Sequence, residues 1–300
     1  MAMSQIPVDL RNLGQVYACL GLQELAEILI GPAEGCFVAP RQNAKAQFHL
    51  RVVGKELPSE TALDFLSEAK IFSEAPYGWL ANNEWKSGWG ELHERLPGDL
   101  RYPYPPPRSA FDLVTVIEHN KKRAEISYWG SIGARDNMKF RPGAYGIPAA
   151  ALIVAALNGR AIDNPTLTVR EACTRGGGDP FSVGAPQTNG LRLDYRRDAV
   201  ALNEGFSINK HEHITAVGYP IVEVLAAVGL THARPKQCGN LDYRYTVPVS
   251  DEPVWYTTSL LRSALSLALH FDSRTFAVKM GWSSQPGKDR AITSIMEMNQ

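Results

Sequence analysis

Cysteine is scarce in this sequence, with four residues in 300: Cys19, Cys36, Cys173 and Cys238. No two of them form the C-x-x-C pair that structural zinc sites and thioredoxin-like redox sites use. Cys19 lies inside an apolar helical stretch and is predicted to be a small core residue. The cysteines therefore predict neither a zinc site nor a redox pair.

Long apolar runs are also missing, because no stretch approaches the ~20 uninterrupted apolar residues that a membrane-spanning helix needs. The opening residues, MAMSQIPVDLRNLGQ, lack a basic segment followed by an apolar one and so predict no secretory signal. Together these two absences predict a cytoplasmic protein without a membrane partner. The apolar fraction of 44% is still sufficient for the core of one large domain or two packed lobes.

Net charge is absent as well, since 31 Lys and Arg residues balance 31 Asp and Glu residues. This balance excludes a uniformly basic nucleic-acid binder. It arises by cancellation, however, because residues 1–100 carry 8 basic and 13 acidic side chains, whereas residues 101–160 carry 9 and 4. One locally basic face is therefore compatible with the composition.

The sequence further lacks the G-x-S-x-G elbow of many hydrolases, the P-loop pattern and the dinucleotide-binding G-x-G-x-x-G. The glycine run 176–178 is therefore predicted to be a mobile loop, and it is only a weak signal for phosphate chemistry. His211 and His213 have the spacing of one strand face, but no third metal ligand stands out nearby, so we favour a polar loop without metal. We predict a protein that is not an enzyme and uses no cofactor. A nuclease or hydrolase with scattered catalytic residues is the least favoured alternative.

What the sequence does contain is a series of strand and helix patterns that predict an α+β fold, with antiparallel sheets and helices on one face. The predicted helices are residues 13–30, 63–72, 147–157, 219–230 and 259–269. The predicted strands are residues 6–10, 36–39, 47–53, 111–118, 124–129, 166–171, 191–195, 241–247 and 274–282.

A long stretch, residues 76–107, interrupts this pattern. It contains Trp79, Trp85 and Trp89 and ends in a dense proline run that neither a helix nor a central strand can accommodate. We therefore predict an N-terminal α+β lobe over residues 1–107, including this excursion, and a second α+β lobe with basic loops over residues 108–300. The tryptophans are predicted to form either a protein-contact surface or a small satellite core.

Two predicted helices carry a similar short motif. Residues 18–22 read ACLGL and residues 226–230 read AAVGL. A glycine inside a helix costs roughly 1 kcal/mol, so a close-packing role is expected for both glycines. The repetition indicates two similarly built halves, with coincidence in two buried helices as an equal alternative.

Basic side chains cluster on predicted loops. The first cluster is a hairpin tip at residues 120–123, and the second is a glycine-flanked stretch before the helix at residue 147. Arg and Lys in such loops can contact phosphates, and an aromatic ring among them can stack on a base. The alternative is a solvated surface loop. The candidate nucleic-acid contacts are Lys121, Lys122, Arg123, Arg135, Asn137, Lys139, Phe140, Arg141, Arg175, Arg196 and Arg197.

Four stretches of the chain are also similar in sequence to one known family. They are residues 6–26 (IPVDLRNLGQVYACLGLQELA), 193–198 (LDYRRD), 205–207 (GFS) and 219–230 (YPIVEVLAAVGL). These stretches resemble the Csb-type subunit family of type I-G CRISPR systems, formerly called type I-U. The likeness is spread over most of the chain. Its motifs are structural, so it carries over no catalytic residue.

This resemblance implies a subunit of the CRISPR RNA-guided surveillance complex (Cascade), with crRNA, target DNA and other effector subunits as partners in antiviral defence. It implies either a repeat-associated (RAMP) fold with ferredoxin-like halves or a role like that of the large subunit that inspects target DNA. In guided complexes base pairing reads the sequence, while protein subunits hold the backbones. The main alternative is a scaffold that bridges proteins through residues 79–89 without contacting nucleic acid.

Overall fold

A computed structural model describes residues 1–40, 45–76, 93–95, 113–127, 143–144, 147–175, 179–186, 190–198, 217–268, 272–282 and 290–298. The strands are β1 Ala2–Asp9, β2 Ala33–Val38, β3 Lys45–Val52, β4 Lys70–Ala75, β5 His93–Arg95, β6 Val114–His119, β7 Lys122–Ile126, β8 Gly143–Ala144, β9 Ile147–Pro148, β10 Ala185–Pro186, β11 Val217–Gly218, β12 Lys236–Gln237, β13 Asp242–Ser250, β14 Tyr256–Thr257, β15 Ser273–Trp282 and β16 Arg290–Met298. The helices are α1 Leu13–Leu29, α2 Pro58–Glu68, α3 Ala149–Leu157, α4 Val169–Arg175, α5 Tyr195–Asp198, α6 Pro220–His232 and α7 Thr258–Leu265.

Two sheets dominate the structure, and their pairings are mostly antiparallel. The larger sheet has the order β1-β3-β2-β13-β15-β16, with β12 added beside β13 and β14 beside β2. The smaller sheet has the order β5-β4-β6-β7. The parallel pairs in these sheets are β2 with β13 and β4 with β5. The predicted α+β class with antiparallel sheets is therefore confirmed.

The first three strands form a split β-α-β unit, in which β3 lies antiparallel between β1 and β2. In a ferredoxin-like half the fourth strand would continue this sheet, but here β4 pairs with β6 in the smaller sheet. Two ferredoxin-like halves therefore stay a prediction. So does the division at residue 107, although strands from both sides of that point share both sheets.

Helix α1 is the centre of the core. It contacts β1, β2 and β3 of the larger sheet and β7 of the smaller sheet, and it packs along α6. Fourteen of its residues are buried, from Leu13 to Ala26, because it is enclosed on all sides rather than on one face. Cys19 is fully buried within it, as the sequence predicts.

Glycines allow α1 and α6 to approach closely. A Cβ added at Gly21 would lie closer than 3.0 Å to the backbone carbonyl of Leu225, and one added at Gly229 would meet that of Tyr17 equally closely. The two similar motifs are thus the contact surfaces of one helix pair, and the predicted packing role of their glycines is confirmed.

The predicted strand over residues 166–171 is wrong, because helix α4 begins at Val169. Thr168 and Glu171 form a capping box there: the Thr168 N–H donates to the Glu171 carboxylate at 2.9 Å, and the Glu171 N–H donates to the Thr168 hydroxyl at 3.3 Å. The T-x-x-E pattern is the sequence sign of this helix start, although Thr and Val at its beginning are typical of strands.

The predicted strand over residues 191–195 is also wrong. The Leu191 N–H donates to the Glu223 carboxylate at 3.0 Å, and the Tyr195 N–H donates to Asn12 Oδ1 at 3.2 Å. Side chains from α6 and from the residue before α1 therefore provide the hydrogen bonds that a neighbouring strand would otherwise provide. No local pattern in the sequence reports on partners so distant.

The second predicted helix is displaced toward the N-terminus. Helix α2 runs from Pro58, which suits the first helical turn, to Glu68. Ala69 is extended, with φ −66° and ψ 139°, and β4 follows directly. Within the described ranges no helix has both the length and the apolar character needed to cross a membrane.

Candidate nucleic-acid interface

The predicted basic hairpin is present between β6 and β7. Asn120 and Lys121 form its two-residue turn with φ of 48° and 62°, and His119 pairs with Lys122 directly before and after them. Positive φ at both central residues is the type I′ geometry that matches the twist of paired strands. The turn places Lys121 at the exposed tip of the smaller sheet.

Arg123, two residues beyond Lys121 on β7, is partly buried and bound to carboxylates of its own sheet. Its guanidinium donates to both carboxylate oxygens of buried Glu74 on β4, at 3.1 and 2.8 Å, and to Glu125 at 2.7 Å. The hydrogen bond with Glu74 is the largest influence, and it raises the pKa of Arg123 above its usual value. Arg123 thus neutralises a buried carboxylate and links β7 to β4.

Lys122 is engaged on the other side of the same strand. Its ammonium donates to the backbone carbonyl of Ile28 at 2.9 Å, in the last turn of α1. A cation in this position satisfies a carbonyl without an intrahelical partner and complements the negative end of the helix dipole. Lys122 therefore joins the smaller sheet to the central helix.

Arg196 lies at a junction of three stretches of the chain. Its guanidinium donates to the fully buried carboxylate of Asp194 at 2.6 Å and to the Phe181 carbonyl at 2.7 Å. The guanidinium carbon also lies 3.2 Å from the centre of the Tyr219 ring, as a cation–π contact. Asn12, the N-cap of α1, donates to the same Asp194 carboxylate at 2.8 Å.

Arg175 ends helix α4 and is largely exposed, 3.8 Å from Glu171 one turn earlier. It borders a cavity of about 420 Å³ that Cys173 and Asp179 also line. Burial raises the pKa of Asp179, and it raises that of Cys173 to about 11. The Asp179 carboxylate accepts the Phe181 N–H at 2.9 Å, so it caps the turn at residues 180–182.

The remaining predicted contacts lie outside the described residues. These are Arg135, Asn137, Lys139, Phe140 and Arg141. The backbone of Arg197 belongs to α5, but its side chain is outside the described part. Residues 79–89, His211 and His213 lie outside it as well. The assignment of all these residues stays a prediction.

Buried charge also occurs at a position that is not among the predicted contacts. Glu24 on α1 is 3% exposed, and its carboxylate lies 2.7 Å from His232 Nδ1 on α6 and 2.8 Å from Arg262 Nε on α7. One carboxylate thus ties three helices together. A Glu within a run of apolar residues on α1 is the signal that could have indicated it.

The described residues contain no group of three or more His, Cys, Asp or Glu side chains that could hold a metal ion. Among the described candidates, Lys121, Lys122 and Arg175 are exposed, whereas Arg123 and Arg196 bind buried carboxylates. Comparisons of the chain with protein-family models, with curated proteins and with solved structures found no match.

Proposed function

We propose that this chain is a non-catalytic subunit of a type I-G CRISPR RNA-guided surveillance complex, in which it contacts the backbone of crRNA or target DNA. The proposal rests on the resemblance of residues 6–26, 193–198, 205–207 and 219–230 to the Csb-type subunits. Its cellular setting would be the cytoplasm, with the other effector subunits as partners.

The observation that carries the proposal is that three of these four stretches pack together. Asn12 bonds to Asp194, Arg196 lies against Tyr219, and Gly21 abuts Leu225. Residues in mutual contact constrain one another's side chains. A resemblance shared by all three stretches therefore reflects one folded unit rather than the composition of separate segments. This supports a family relation and bears on no catalytic chemistry.

A second candidate function is a scaffold that binds companion proteins without nucleic acid. The internal engagement of Lys122, Arg123 and Arg196 favours it, because three of the predicted contacts already have partners within the chain. Lys121, Lys122 and Arg175 are nevertheless exposed at the surface. Exposed cations are what a backbone-holding subunit needs, so we prefer the first function.

Co-expression tests the proposal directly. A tagged copy of this chain, produced with the genes beside its own and their repeat array, should co-purify with companion subunits and a guide RNA of uniform length. Ultraviolet crosslinking of that complex should connect this chain to RNA or to added target DNA. Companions and guide without such crosslinks would favour the scaffold, and the absence of both would refute either function.

A further inference from the structure

Two cations face each other directly on the outer side of the larger sheet. Lys236 on β12 and Arg244 on β13 are register partners in an antiparallel pair, and both side chains are exposed. Register partners project from the same face, with Cβ atoms about 5 Å apart. Like charges in this arrangement repel each other, so the pair lowers the stability of the isolated protein.

One carboxylate, Asp242, lies on the same face as this pair, and it offsets only part of their charge. Asp242 shares the face, two residues before Arg244, but its own register partner on β15 is a third exposed cation, Lys279. Among the described residues no ion pair within 4.0 Å joins any of these four side chains. The surface defined by Lys236, Arg244 and Lys279, here called the cation row, therefore has a local excess of positive charge.

The cation row is on the open side of the sheet. The neighbouring residues of opposite orientation, Tyr243 and Val278, are buried. Next to Arg244 across the sheet come Ala277 and then Met296, whose side chain is 52% exposed. No aromatic ring lies in this line, so the surface provides charge without a base-stacking platform.

We propose that the cation row binds the phosphate backbone of single-stranded nucleic acid, independently of base sequence. This inference rests on the proposed function and names the surface that would make the nucleic-acid contact. Two strand spacings and two residues along β15 separate Lys236 from Lys279, so the row extends roughly 12 Å and its flexible Lys and Arg side chains can reach more than one phosphate. The bound polyanion would also relieve the repulsion between Lys236 and Arg244. A single lysine on an edge strand serves to prevent aggregation, but that role does not explain an arginine opposite it.

Charge reversal tests the cation row in the purified full-length chain. Binding of a fluorescein-labelled dT20 oligonucleotide, and of its U20 counterpart, is measured by anisotropy between 50 and 200 mM NaCl. Lys236→Glu with Arg244→Glu should weaken binding roughly fivefold for each lost contact. It should also reduce the slope of log K against log salt by about 1.4, at ~0.7 for each phosphate contact on a single strand.

The control is Lys45→Glu with Lys55→Glu, which makes the same change in net charge at β3 and the loop that follows it and also breaks the ion pair of Lys45 with Asp9. The control should keep most of the affinity. The single variant Lys236→Glu separates folding from binding, because it places opposite charges across β12 and β13. Its Tm should not fall, although its affinity for the oligonucleotide should.

Three outcomes would overturn the inference. One is undiminished affinity in the double variant, and another is an equal loss in the control. The third is a wild-type chain that binds neither oligonucleotide. That result would refute the cation row as a binding site, and the co-purification experiment would still test the proposed function separately. If the double variant keeps its affinity but loses companion subunits during co-purification, the cation row is a protein interface instead.

Discussion

At the residue scale, the arginines predicted to contact nucleic acid have a second role that dominates their geometry. Arg123 binds the buried carboxylate of Glu74 on β4, and Arg196 binds that of Asp194, two residues earlier in the chain. Removing either guanidinium would leave an uncompensated buried charge, which is more costly than losing an exposed ion pair. Loss of nucleic-acid binding in an alanine variant of these residues would therefore not by itself identify a contact.

A pair of variants in one hairpin separates these roles. Arg123→Ala should lower the free energy of unfolding by about 2 kcal/mol, because it leaves the Glu74 carboxylate buried without its bidentate partner. Lys121→Gly removes one charge at the tip and should leave stability equal or higher, since glycine suits a φ of 62°. Urea denaturation followed by circular dichroism gives both values. Equal stability in Arg123→Ala and the wild type would contradict this account of the Glu74 pair.

At the element scale, the closest packing in the described fold is the crossing of α1 and α6. Its glycines stand where any side chain would meet the backbone of the other helix. Side chains at a helix contact can usually repack around a new methyl group. A backbone carbonyl within a helix cannot move away without breaking its own hydrogen bond.

Gly21→Ala should therefore destabilise the protein by about 3 kcal/mol, despite the better helix propensity of alanine. The matched control is Gly54→Ala, because a Cβ there would have nothing nearer than Ile30 Cγ2 at 3.9 Å. We expect the control to remain within about 0.5 kcal/mol of the wild type. Chemical denaturation of the three proteins measures the difference. A Gly21→Ala variant as stable as the control would disprove the close contact.

The elements themselves could be predicted where their signals are local. The apolar run of α1, the proline at the start of α6 and the hairpin at residues 120–121 all follow from neighbouring residues. The cation row could not, because Lys236 and Arg244 become neighbours only through the register of β12 and β13. Counts of charge over consecutive residues, which show that residues 101–160 are basic, cannot detect a pair that is formed by strand register.

At the scale of the whole molecule, the zero net charge is the sum of many charges of both signs that are placed unevenly. Several carboxylates are buried against cations in the core, as at Glu24 and Asp194, whereas the cation row is exposed without an ion pair in the described residues. A protein of zero net charge can therefore present a positive surface to a polyanion.

The predicted loop cluster gives a prediction for the assembled complex. Arg135→Ala, Lys139→Ala and Arg141→Ala together should weaken binding of duplex target DNA and reduce the salt slope by up to about 2.7, at ~0.9 for each phosphate contact. Gel-shift titrations at several salt concentrations measure both quantities. Lys45→Ala, Lys55→Ala and Lys70→Ala provide a control of equal charge change. An unchanged affinity and slope in the first triple variant would refute the assignment of residues 135–141.

The sequence by itself determined the α+β class, the main helices, the basic hairpin and the packing role of the two helix glycines, because periodicity, turn residues and small-residue motifs act over a few neighbouring positions. Only the tertiary structure decided that α4 replaces a predicted strand, that Arg123 and Arg196 bind buried carboxylates, and that Lys236 faces Arg244. The Arg123 pair and the Lys236 register depend on strands that pair only in the fold, and the burial of Asp194 depends on packing against α1, which no local pattern reports. Scarce cysteine, short apolar runs and zero net charge exclude several classes of protein. The fold determines where the charges lie.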